Sequence, residues 1–140
     1  MIFDMFAEVH WLGAAVAALA WFAMGAAWYI APPISRRWQA AGGIEIEEGQ
    51  QPDPKVFALT LLAYFVATIV TSLLAAGVGV ASIADGAALG LVVGVGYALT
   101  AAAVAAIYDQ KPQPFTYFWI NGVFNVVGLT VAGGILGAFT

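Results

Sequence analysis

Between Asp85 and Asp109 the chain runs for 23 residues, 86–108, without a single charged side chain. Within that stretch a small residue recurs at every fourth position: Gly86, Gly90, Gly94, Ala98, Ala102 and Ala106. Residues i and i+4 share a helix face, so these six predict one stripe almost bare of side chains. In water such a stripe would bury little. In lipid it lets another helix bring its backbone close, and close packing is what joins helices there. The stretch therefore predicts the central helix of a membrane bundle.

The rest of the chain leaves few alternatives. Of its 140 residues 63% are apolar and 9% charged, against roughly 25% charged in soluble domains. A chain so poor in charge could not cover a water-facing surface, and its mean hydropathy of +0.93 agrees. It has no cysteine, which removes disulfides, thiolate chemistry and cysteine metal ligands. A net charge of −4 with four basic residues lacks the basic footprint that nucleic acids demand.

Three further apolar stretches, residues 9–30, 56–80 and 117–139, are each long enough to cross a hydrocarbon core of roughly 30 Å. The reading is one all-α, antiparallel four-helix transmembrane domain over residues 1–140. Its long loop covers residues 31–55 and a short polar loop covers 109–116. The lead before the first helix carries Asp4 and Glu8 where a secretory signal would carry basic residues, so the first span is expected to be retained. Pro32 and Pro33 stop it. Trp11, Trp28, Tyr29, Tyr117 and Trp119 fall at predicted interfaces, where aromatic residues anchor helices. In the long loop, residues 34–38 mix basic and large apolar side chains suited to the membrane surface. The acidic part that follows reads as a solvated linker. Residues 81–85 permit only a tight return, so the second and third helices form a hairpin. The second carries its own small stripe, Ala63, Ala67, Thr71, Ala75 and Gly79, which is expected to face the first. Gly133 and Gly137 add a GxxxG pair.

Arg36, Arg37, Lys55 and Lys111 all fall in the two odd loops, and none falls at the other end. By the positive-inside rule those loops are cytoplasmic and both termini lie outside.

The first helix with its ending, His10–Trp11–Leu12 through Gly25–Ala26–Ala27–Trp28–Tyr29, resembles the opening of a bacterial family of small four-helix membrane proteins. The last helix, Phe118–Trp119–Ile120–Asn121–Gly122 to Gly133–Gly134–Ile135–Leu136–Gly137, is similar to that family's closing segment. The family is catalogued as domain of unknown function 1761, and the resemblance covers essentially the whole chain. Arg36, Arg37 and Trp38 match the family's basic first loop in character, whereas the acidic insert after Gly43 departs from it. The resemblance implies the fold and a bacterial inner-membrane location. It brings no catalytic residues.

No ionisable side chain lies at depth in the four helices, which disfavours a proton-coupled transporter or an ion pump. Six uncharged polar residues do lie deep: Tyr64, Thr68, Tyr97, Thr100, Asn121 and Asn125. Tyr64, Thr100 and Asn125 each stand eight positions inside, which at ~1.5 Å per residue is about 12 Å. An amide turned to lipid would be left unsatisfied at a cost of several kcal/mol, so these groups should point inward. They read first as glue between helices and second as a polar pocket for a small or amphipathic ligand. At the opposite rim Asp4, Glu8, His10 and Asp85 contain possible metal donors, but their spacing fits no metal motif, and His10 reads better as a hydrogen-bonded anchor. Trp21, alone among the five tryptophans, is placed mid-helix, where packing explains it. Gly94–Val95–Gly96 lies inside an apolar helix and makes no phosphate loop. No metal or other cofactor is implied.

With no nucleophile–base pair and no buried acid, the chain reads as a non-enzymatic membrane protein. Its small-residue faces suit assembly, with itself as a homo-oligomer or as an accessory subunit of a larger complex, amid membrane lipids. The alternative is a dimeric small transporter or channel for an uncharged or amphipathic solute, passing the Tyr64/Thr100/Asn125 layer.

Overall fold

The computed structural model describes residues 1–46 and 53–140. Residues 47–52, the centre of the expected solvated linker, lie outside that description. A short 3-10 turn, Ile2–Glu8, leads into α1 (Trp11–Ile30), and α2 (Ile34–Gly42) follows within the long loop. Three long helices complete the chain: α3 (Pro54–Val78), α4 (Ile83–Tyr108) and α5 (Pro114–Ala138). Among the described residues there is no strand, and α1, α3, α4 and α5 are each long and apolar enough to cross a membrane.

The helix starts follow local chemistry more closely than hydropathy. Asp53 caps α3 by accepting from the Lys55 N–H at 2.9 Å, and Pro54 holds the first helical position, where its missing N–H costs nothing. Ser82 caps α4 by accepting from the Asp85 N–H at 3.1 Å. Pro114 opens α5. The two caps and Pro114 set the starts at residues 54, 83 and 114, where apolarity alone suggests 56, 86 and 117. Gly79, with φ +76°, ends α3 in the left-handed conformation that glycine adopts without strain.

The packing order differs from the expected hairpin. The stripe of α4 turns away from α3 and lies along α5. A β-carbon on Gly86 would overlap the carbonyl oxygen of Gly133, and one on Gly90 would overlap that of Leu129. In return, a β-carbon on Gly133 would strike the Gly86 carbonyl, and one on Gly137 that of Ser82. Two glycine pairs spaced by four thus bring the backbones into direct contact, and α3 has no equivalent to offer. Its own stripe splits: Thr71 and Ala75 are buried, Ala67 is half-buried, and Ala63 and Gly79 are exposed. Its buried members serve α1 and α5, and α3 barely meets α4.

The central helix is consequently α5. Half of its membrane-length window is buried inside the protein, against 17% for α4. On one side of α5, α1 and α3 complete a three-helix cluster around Ala14, Ala17, Ala132 and Leu136, then around Trp21, Phe124 and Leu129. On the other side α4 is held through one face.

That face stays in line because of a widened turn. A strict four-residue repeat overshoots the 3.6-residue period by about 40° per step, so the stripe should wind off its partner. Over Gly94–Leu99, α4 opens into a π-helical turn, which takes up more residues per turn and corrects the drift. Thr100 braces it, its hydroxyl donating to the Gly96 and Tyr97 carbonyls at 2.8 and 3.0 Å. Gly86, Gly90, Gly94 and Ala106 are buried as a result, and Ala98 and Ala102 are half-buried.

Candidate functional site

The polar and aromatic residues at depth gather between α1, α3 and α5, towards the end that carries Arg36 and Arg37. Trp21, buried at mid-span of α1, lies flat on Tyr64 of α3 with ring centroids 4.2 Å apart and planes 9° from parallel. The indole can lie there because Gly128 of α5 has no side chain; a β-carbon at Gly128 would overlap the ring at Nε1. Further along, the Tyr29 hydroxyl donates to Asn121 Oδ1 at 2.6 Å and ties α1 to α5. Tyr29 also meets Phe124 edge-on at 5.2 Å and Trp38 of α2 at 4.9 Å. Trp28 closes the group against Phe124 at 6.0 Å. The indole N–H groups of Trp21, Trp28 and Trp38 are buried without a hydrogen-bond partner among the described residues.

The six deep polar residues do not form one layer. Thr68 is fully buried and donates to the Ala14 carbonyl of α1 at 2.8 Å, a bond between helices. Tyr64 stacks on Trp21, and Asn121 pairs with Tyr29. Asn125, half-buried on the same helix as Asn121, makes no side-chain hydrogen bond among the described residues. Tyr97 and Thr100 stand apart. Both are exposed on the outer side of α4, away from Tyr64 and Asn125, because the glycine stripe takes the inner face. Thr100 satisfies its hydroxyl on its own helix, whereas Tyr97 is 76% exposed.

The opposite rim is likewise dispersed. Asp4 accepts from the Met1 amino group at 2.9 Å, and Asp85 accepts from the Ser82 hydroxyl at 2.8 Å. His10 caps α1: its Nδ1 accepts from the Gly13 N–H at 2.9 Å, and its backbone N–H donates to Ser72 Oγ at 3.0 Å. Its ring packs on Phe139 at 4.7 Å. Among the described residues no three His, Cys, Asp or Glu side chains are placed to share a metal. The contacts these side chains make are hydrogen bonds and packing.

Sequence reasoning missed the Trp21–Gly128 fit, the Tyr29–Asn121 bond and the cap made by His10. The first had a signal in the sequence. A tryptophan at mid-span needs a facing residue without a side chain, and Gly128 stands at the middle of the last helix. The second had none, because Tyr29 reads equally well as an interface anchor.

A family model described as protein of unknown function (DUF1761) matches residues 12–137. No curated protein and no solved structure matches the chain.

Proposed function

The chain belongs to the DUF1761 family, and from that premise we propose that it is a non-enzymatic assembly or accessory protein of the bacterial cytoplasmic membrane. It works as a homo-oligomer joined through the outer face of α4. The observation that carries this reading is Tyr97. It stands near the middle of the span Ile83–Tyr108 and is 76% exposed, and its phenol hydroxyl makes no hydrogen bond among the described residues. A phenol hydroxyl facing hydrocarbon is left unsatisfied, which costs free energy that a second copy against this face removes. Leu91, Val92, Val95 and Val104, all exposed, supply the apolar surface around it. Thr68 bonds α3 to α1 and Asn121 bonds α5 to α1, which supports a structural role over a solute path. Arg36, Arg37, Lys55 and Lys111 stand at the end away from the termini, which supports an orientation with both termini outside.

Because the chain has no cysteine, single-cysteine variants give a clean test. In native membranes, oxidation of Val95→Cys or Val104→Cys is expected to give a dimer, whereas Leu19→Cys on α1 stays monomeric. Monomer alone at every position on α4 would overturn the reading. Asn125 and the three unpartnered indole N–H groups favour a second reading, a dimeric transporter or channel for an uncharged or amphipathic solute. Flux in vesicles that disappears with Asn125→Leu would raise that reading above the first.

A further inference from the structure

A groove of about 390 Å³ opens at the basic end between α2 and the start of α5, lined by Arg36, Arg37, Ala40, Gln113 and Thr116. We infer that it binds the phosphate of an anionic phospholipid headgroup, a role that requires only that the protein spans a membrane.

The sequence of α2 builds the groove. Ser35, Ala41 and Gly42 are buried on one side of the helix, and Trp38 is half-buried there against Tyr29. Tyr117 of α5 leaves no room for a β-carbon on Gly42, and the Gln113 N–H donates to the Ala41 carbonyl at 3.0 Å. These contacts fix α2 against α5. Arg36, Arg37 and Ala40 then take the exposed side, where two adjacent guanidinium groups share one opening. A guanidinium presents paired N–H donors matched to phosphate oxygens, a geometry that an ammonium cannot copy. The far wall adds an amide and a hydroxyl. Gln113 is also the residue before α5, and its side chain makes no cap, so the Phe115 and Thr116 N–H groups add donors without charge. Glu45, Asp53 and Asp109 belong to the same end of the bundle, yet none lines the groove. Two of the chain's four basic residues are thus committed to one opening at the end where the membrane surface lies, in a protein whose net charge is −4.

The full chain, purified in a neutral detergent, is titrated with short-chain phosphatidylglycerol, with short-chain phosphatidylcholine and with sodium phosphate. The thermal unfolding midpoint is followed by circular dichroism. Phosphatidylglycerol alone is expected to raise the midpoint, and R36Q/R37Q is expected to need at least tenfold more of it for the same rise. K55Q, at the same end but outside the groove, behaves as the parent. An equal rise with phosphatidylcholine, or an unchanged response in R36Q/R37Q, would overturn the site. A rise with sodium phosphate at the same concentration would overturn the lipid as its source and leave a free-phosphate site. If the double variant does not fold, Gln113→Ala decides the matter: a weakened response supports the groove and an unchanged one sinks it.

Discussion

The two flanks of α5 are held by opposite means. Against α4 it presents glycine, and at Gly86, Gly90, Gly133 and Gly137 the helices touch backbone to backbone. Against α1 and α3 it presents Phe124, Asn121, Leu129 and a notch at Gly128, and that contact is filled with rings and pinned by the Tyr29 hydroxyl bond to Asn121. In lipid both solutions serve one purpose, because no hydrophobic drive separates helix from tail and fit has to supply the stability. They differ in tolerance. A seam of glycines has nothing that can move aside when an atom is added, whereas a ring packed on a notch can shift at some cost.

Breaking the glycine seam is expected to have the largest effect. Gly133→Leu places a side chain where the Gly86 carbonyl stands, and should lower stability by ~3 kcal/mol, the upper part of the range for overpacking. Unfolding in mixed micelles followed by circular dichroism measures it. Gly96→Leu sharpens the comparison on the same partner helix. A β-carbon at Gly96 meets nothing within 4 Å, so unfolding of the monomer should stay within about 0.5 kcal/mol of the parent. On the other flank, Gly128→Ala forces the Trp21 indole off its seat and should cost ~2 kcal/mol. Trp21→Phe in the same chain should restore part of that loss, since the two residues touch. A smaller loss than at Gly133 or Gly128 belongs to the single polar bonds. Thr68→Val removes the bond to the Ala14 carbonyl without changing shape, and Asn121→Leu removes the acceptor of Tyr29. Each should cost ~0.6 kcal/mol, the average for such bonds in a membrane helix bundle. A Thr68→Val loss as large as that of Gly133→Leu would mean that the ring-filled flank is the more brittle one.

Much of this fold was readable in the residues, because lipid imposes a length and an apolar composition on every span. Four stretches met both, and four helices stand there. The small stripe of α4 was visible too, since periodicity shows that a face is bare. What periodicity does not carry is the identity of the neighbour. The short turn at residues 81–85 made α3 the natural choice for α4, yet the GxxxG pair at Gly133 and Gly137 offered the better fit, and contact of backbone with backbone decided the pairing. The same limit applied to the site. Depth along the helix placed Thr100 level with Asn125 and Tyr97 one turn further along, but depth says nothing about direction around the axis, and the glycine face had already fixed that. His10 was legible as an anchor. Its cap on α1 depended on a backbone geometry that only the folded chain supplies.

The π-helical turn at Gly94–Leu99 makes the lower half of α4 depend on backbone geometry in a way that hydropathy does not register. Closing that turn to ordinary α-helix, with no residue added or removed, would leave a rod just as greasy and still long enough to cross. Everything beyond it would swivel by about 100°, aiming Ala105 at the last helix and turning Ala106 out to the tails. Two conformations with identical hydropathy profiles would then differ in whether the seam closes along its whole length or only as far as Gly94.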